Sequence, residues 1–207
     1  MKITLVANPK GGAGKSTVAT NIAGYFASRG HAVMLGDADA QQSSRLWLQQ
    51  RPPTLPSIAT WEIHGDKWRH VRPPQGTTHV VIDTPAGLSG SLLKDLVSQA
   101  DKIVVPIQAS LFDMQATHDF IAQIRSQLHG DLSRVGLVAN RLNPRTLSAA
   151  KLREFLVGLN LPVLGYLRDT QYYVHLAAHG LSLFDITPSK VETDLTLWQP
   201  IGTWLDR

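Results

Sequence analysis

The run NPKGGAGKST, residues 8 to 17, carries the residue types best suited to holding a phosphate. Gly11, Gly12 and Gly14, with Ala13 between them, leave successive backbone N–H groups free to converge on one anion. Lys15 has the reach for β- and γ-phosphates, the Ser16 hydroxyl can ligate Mg²⁺, and Thr17 continues the cradle into the following segment. The strict phosphate-loop pattern has glycine at position 9, where this chain has Pro9, and an extra cation, Lys10, stands ahead of the glycine pair. Three carboxylates stand where ligands could reach them: Asp37 and Asp39 in GDADAQQSS, and Asp83 in HVVIDTPAG. Each lies at the end of an apolar run, the edge where open α/β sheets bind ligands.

Those residues need strands to deliver them and helices to back them. Ile3 to Ala7 reads as a buried strand, and Val18, Ile22 and Phe26 recur at helical spacing beyond the glycines. Gly30 is the stop signal of that helix, and His31 to Leu35 is a second strand. Thr78 to Ile82, Ile103 to Ile107, Val135 to Ala139 and Pro162 to Leu167 follow as further strands. Between them lie amphipathic helices marked by Met114, Ile121, Ile124 and Leu128, and by Leu152, Phe155, Leu156 and Leu159. This alternation predicts one domain over residues 1–207, an α/β fold of the P-loop NTPase type. Its sheet is doubly wound and mostly parallel, with helices on both faces. Asp83, beside a glycine-containing loop, then looks like a Walker B carboxylate holding the Mg²⁺ shell, with Thr84 to Gly90 as a switch loop. Ser16, Asp39 and Asp83 are the candidate metal ligands. For Asp39 a second reading stays open, that it or a neighbour only caps a helix starting near Gln41.

Two regions are less legible. Residues 51–76 mix five prolines with Trp61, Lys67, Trp68, Arg69 and Arg72. They read either as a partner-facing excursion or as a solvated connection with one short strand and one short helix. From Lys190 the apolar residues Val191, Leu195, Trp198, Ile201 and Leu205 predict a closing helix, kinked or restarted at Pro200.

Composition excludes several classes. None of the 207 residues is cysteine, so disulfides, thiolate metal ligands and a cluster held by this chain are ruled out. No apolar run approaches about 20 residues, and strand and glycine loop begin too early for a signal peptide, so a cytoplasmic protein is expected. A formal charge of +4 is a mild basic bias compatible with nucleic acid. His118 and Asp119 lack the further ligands a metal hydrolase needs and read as a helix-surface pair.

The glycine loop with its early Lys10, the Asp37–Asp39 segment and the Asp83 strand, in this order, resemble the ParA/MinD family of deviant Walker A ATPases. The nearest type is the small partition ATPase without an amino-terminal helix-turn-helix domain. The resemblance implies ATP and Mg²⁺ as cofactors, an ATP-dependent sandwich homodimer and slow hydrolysis that positions DNA or another large cargo. It further implies that Lys10 reaches across the dimer to the partner's nucleotide, so that Lys10, Lys15 and Asp39 are the catalytic residues. By the same token Asn140 contacts the adenine, and Arg168 lies in a loop closing over the base, near a basic position used for DNA. Arg145, Lys151 and Arg153 make either one phosphate-facing stripe or an ordinary solvated face, and with Arg141, Arg168 and Lys190 they are the candidate DNA contacts. A ParB-like or other small activating adaptor and nucleoid association in the ATP state complete the expectation. The chain departs from the family pattern at Ala40, usually proline, and at Thr84-Pro85-Ala86. A membrane-cycling relative would need a basic amphipathic end that Val191 to Arg207 does not supply, so no stable membrane anchor is expected. A related tyrosine kinase would need tyrosines after Tyr173, and a dethiobiotin-synthetase-like ligase usually lacks the lysine at position 10.

Overall fold

Seven short apolar runs pair side by side in the computed structural model, which describes residues 1–61 and 73–207. They are β1 (Lys2–Val6), β2 (Val33–Asp37), β3 (Ile58–Trp61), β4 (His79–Asp83), β5 (Lys102–Ile107), β6 (Val135–Leu142) and β7 (Val163–Arg168). Among the described residues they form one sheet in the order β3-β2-β4-β1-β5-β6-β7, and every neighbouring pair is parallel. Strands buried on both faces need no polar alternation, which is why β2 and β4 are buried at every residue.

The helices are α1 (Lys15–Ser28), α2 (Ser43–Gln50), α3 (Gly90–Gln99), α4 (Leu111–Gln127), α5 (Leu147–Gly158), α6 (Gln171–Ala178) and α7 (Pro188–Asp206). Helices α3, α4 and α5 cover one face through Leu93, Leu96, Phe120, Ile124, Leu152 and Leu156. Helices α1, α2, α6 and α7 cover the other through Ile22, Phe26, Trp47, Leu176, Trp198 and Ile201. The doubly wound architecture is thus present, with a sheet wholly parallel rather than mostly so.

Register places the chemistry. Val6 pairs with Asp83 across β1 and β4, and Asp83 pairs with Asp37 across β4 and β2. The three strands therefore end level, and β1 sits where successive strands run off in opposite directions, at the switch point where such sheets bind ligands.

Three details differ from the sequence reading. Strand β2 runs from Val33 to Asp37, carrying Asp37 inside the sheet, and α2 begins at Ser43 rather than near Gln41. Helix α7 passes through Pro200 without interruption, and its irregularity lies at Val191 (φ −131°, ψ 18°). Burial of Trp198, Ile201 and Leu205 on either side of the proline holds that stretch against the sheet, outweighing the roughly 3 kcal/mol that an interior proline costs. The proline-rich region contributes β3, where Trp61 lies flat over Gly36 so closely that a Cβ there would sit 2.0 Å from the ring. Lys67, Trp68, Arg69 and Arg72 fall outside the described residues.

Candidate functional site

Beyond β1 the chain enters a loop pinned from three sides. The buried Asn8 amide donates to Pro106 O (2.9 Å) and Thr117 Oγ1 (3.0 Å), and its oxygen accepts from Lys10 N (2.9 Å). Gly12 and Gly14 take φ of 82° and 86°, the left-handed region open to glycine. Helix α1 then starts with no capping side chain and no acidic residue in its first turn. Its first N–H groups and positive dipole end are therefore left for an anion. Lys15 is buried, and its Nζ donates to Lys10 O (2.9 Å). Burial lowers the Lys15 pKa, while Asp83 and Asp39 pull it back up. An arriving phosphate would exchange a carbonyl partner for an anionic one.

The loop after β4 leans on this cradle, with Gly87 N donating to Pro9 O (2.8 Å) and Thr84 Oγ1 to Val6 O (2.9 Å). From the other side the Gln108 amide donates to Gly12 O. Sequence reasoning did not single out Gln108, although its place just past β5, beside the switch point, was a usable signal.

The two aspartates of GDADAQQSS divide the work. Asp37 is the structural one. Its Oδ1 accepts from Asp39 N (2.9 Å) and its Oδ2 from Ser44 N (2.9 Å) and Arg45 N (3.1 Å), so Asp37 caps α2. Asp39 accepts only from Gln41 N (3.0 Å) among the bonds to described residues, and it lines the same cleft of about 550 Å³ as Gly11, Gly14, Lys15, Ser16 and Thr17. Asp83 lies beneath, 1% exposed. Its Oδ2 accepts from Ser44 Oγ (2.5 Å), a partner that sequence reasoning missed, while Oδ1 is buried with no hydrogen-bond partner. Burial pushes the Asp83 pKa up to about 6, against the opposing pull of the Ser44 and Ser16 hydroxyls. A buried carboxylate oxygen without a hydrogen-bond partner, together with the Ser16 hydroxyl and Asp39 that line the cleft, is the all-oxygen donor set that a hard divalent cation takes, so Ser16, Asp39 and Asp83 fit Mg²⁺ and its bound water.

A second pocket of about 440 Å³ adjoins the cleft, with Thr17 and Arg141 common to both. Asn140 and Arg168 line it. The Asn140 amide already donates to Ala13 O (3.0 Å) and accepts from Arg141 N (3.0 Å), leaving one N–H and one lone pair for a base. Arg168 grips Asp194 of α7 through two bonds of 2.7 Å. The Asp194 side chain is 2% exposed and that of Arg168 46%. Arg168→Ala should therefore destabilise the fold by about 2–3 kcal/mol, short of the roughly 3–5 kcal/mol for a wholly buried pair because water screens the arginine side. Urea unfolding with an unchanged m-value would measure it.

The residues expected to face DNA are all exposed, and two of them have partners. Arg168 is engaged with Asp194, and Arg153 stacks 5.5 Å over Tyr166. Arg141, Arg145, Lys151 and Lys190 are exposed. Lys10 is half-buried beside the cleft rather than among its lining residues.

Residues 4–183 match the family model described as the CobQ/CobB/MinD/ParA nucleotide binding domain. The chain is 29% identical over 188 residues to the maintenance of carboxysome distribution protein A of Halothiobacillus neapolitanus, covering 87% of this chain and 86% of that protein. It is 28% identical over 184 residues to the chromosome-partitioning ATPase Soj of Thermus thermophilus, covering 73% and 74%. Its fold superposes on a plasmid partition protein of Borrelia burgdorferi bound to AMPPNP with a TM-score of 0.74 at 17% identity, over 97% of this chain and 98% of the other.

Proposed function

The chain belongs to the CobQ/CobB/MinD/ParA nucleotide-binding family, and from that premise we propose that it is a ParA-type positioning ATPase. It binds MgATP, pairs with a second copy in the ATP state, binds DNA without sequence preference and hydrolyses ATP to position or segregate a large cargo, as a plasmid, chromosome or other particle. The carboxysome-distribution and chromosome-partitioning names of its relatives support cargo positioning as the class of work. The observation that carries the reading is the shared cleft. The bare α1 amino terminus, Lys15, Ser16 and Asp39 line it, the orphaned Asp83 oxygen lies below, and Lys10 stands at its edge. Bound Mg²⁺ would neutralise charge on the β- and γ-phosphates and fix their orientation. The chain's own residues do the rest. Backbone N–H groups and Lys15 hold the phosphates, Asp39 orients the attacking water, and Lys10 adds a cation to the partner's site.

No helix among the described residues is long and apolar enough to cross a membrane. The proposal further takes the protein to be cytoplasmic, to associate with the nucleoid in its ATP state and to answer to a ParB-like or other small adaptor. Arg145, Lys151 and Lys190 supply exposed cations for DNA, and since each phosphate contact adds about 0.9 to the salt slope, a dimer should bind far better than a monomer.

Sedimentation velocity and mobility shifts test this together. Wild-type protein should dimerise with ATP and shift DNA at about 0.1 M salt, with binding falling steeply as salt rises. Lys10→Ala should stay a folded monomer with ATP and lose the DNA shift. A normal ATP-dependent dimer of Lys10→Ala would remove the cross-subunit role, and a dimer that ignores DNA would place the cargo on another surface.

A further inference from the structure

Arg141 is one of the few non-glycine residues held in the left-handed region, at φ 50°. A bulky side chain is uncommon there, and such a conformation persists where surrounding structure enforces it, often at a functional site. The enforcing contacts run from Arg141 through Asn140, its neighbour in β6, to the phosphate loop. Asn140 Oδ1 accepts from Arg141 N, and Asn140 Nδ2 donates to Ala13 O. The amide packs so tightly on Gly14 that a Cβ there would lie 2.0 Å from Nδ2. At the same place the β6–β7 register slips between Ala139 and Leu142, freeing Arg141 from regular pairing. The loop that cradles phosphate thus holds the Asn140 side chain, which in turn bonds the Arg141 N–H.

The side chain that this backbone directs is exposed and has no hydrogen bond or ion pair to the described residues. It borders both cavities, the phosphate cleft and the adjoining pocket, and Thr17 is the other residue common to the two. A nucleotide with its terminal phosphates on the loop and its base in the second pocket must pass between Thr17 and Arg141. What lies at that waist is the α-phosphate and the ribose.

We propose that Arg141 is a nucleotide-binding residue whose guanidinium closes over the α-phosphate and ribose of the nucleotide in its own subunit, rather than a contact to DNA. The inference rests on the nucleotide site of the preceding section and adds a cation to it. A planar guanidinium suits this position because it can donate to a phosphate oxygen and a ribose hydroxyl at once, which an ammonium does less well.

The test uses Arg141→Gly, which removes the side chain without opposing the left-handed backbone, so the nucleotide-free variant should melt no lower than wild type. Its affinity for a fluorescent ATP analogue should fall about 10- to 100-fold, the worth of a charge-assisted hydrogen bond at a phosphate. Competition should show the same loss with ATP, ADP and AMP, which share the α-phosphate, and little loss with adenosine. Arg141→Lys should recover part of the affinity. At saturating ATP the salt slope of DNA binding should match wild type. Wild-type nucleotide affinity in Arg141→Gly, or a loss confined to ATP, would overturn the assignment, and a reduced DNA slope at intact affinity would return Arg141 to the DNA surface. If wild-type protein binds no nucleotide and Lys15→Ala matches it, both this assignment and the proposed function fail.

Discussion

Asp39→Ala should bind ATP within a few-fold of wild type and hydrolyse it about 10²- to 10⁴-fold more slowly, the range for removing a group that orients or accepts from an attacking nucleophile. Asp39 is placed for that role because it lines the phosphate cleft and, among the described residues, its carboxylate accepts only from the local Gln41 N–H. Lys15→Ala is the contrast, since its buried ammonium is the cation nearest the cradle and its loss should abolish binding itself. Asp37→Ala makes a third outcome. It would strip the partner from three backbone N–H groups, of which the buried one of Ser44 would cost about 1–3 kcal/mol when left unmet and the half-buried ones of Asp39 and Arg45 less. That variant should lose stability in urea unfolding, unlike Asp39→Ala. Equal loss of ATP affinity in Asp39→Ala and Lys15→Ala, by titration of a fluorescent analogue, would sink the division of roles.

That division also marks what was legible in the sequence. The phosphate loop was readable because glycine, lysine and hydroxyl requirements act over ten consecutive residues between a strand and a helix. Asp83 was readable because a β-branched run ended on it. The order of strands could be expected only in outline, since a parallel sheet is made by pairings between distant segments. The meeting of Val6, Asp83 and Asp37 at one level is a matter of register that no local pattern records. For the same reason the sequence left open whether Asp39 or a neighbour only caps a helix, although Asp37 bonds the α2 backbone and Asp39 lines the cleft. Ser44 was invisible because its partner is 39 residues away. Arg168 looked like a free surface cation because Asp194, which holds it, lies 26 residues further on in α7. Arg141 was legible as a basic residue but not as a strained one, since its left-handed backbone goes with an Asn140 side chain held by Ala13, a contact between distant segments.

Asp83→Asn should make the nucleotide-free protein more stable at pH 8 while removing the effect of Mg²⁺ on nucleotide affinity. The first half follows from linkage. Burial raises the Asp83 pKa to about 6 from an ordinary value of 3.8, so the folded protein holds this proton more tightly than the unfolded chain does. Stability from this group is therefore greatest below pH 4, declines as pH rises through 6, and stays reduced above it by about 3 kcal/mol for a shift near two pK units. Asparagine does not titrate and is neutral throughout, so the difference between wild type and Asp83→Asn should be small near pH 3.5 and should favour the variant by about 1–3 kcal/mol at pH 8. Subtracting the two urea-derived profiles cancels the carboxylates distant from Asp83 and leaves its own contribution together with its repulsion with Asp37. The second half follows from the orphaned Oδ1, the atom most in want of a cation. Without a carboxylate there, the variant should bind the fluorescent ATP analogue alike with Mg²⁺ and with EDTA, whereas wild type should bind more tightly with Mg²⁺. A variant less stable than wild type at pH 8, or one that keeps the wild-type Mg²⁺ enhancement, would show that the buried charge is not the feature the cation answers. The expected pairing of gained stability with lost Mg²⁺ response makes Asp83 a residue kept for its ligand at a cost to the empty fold.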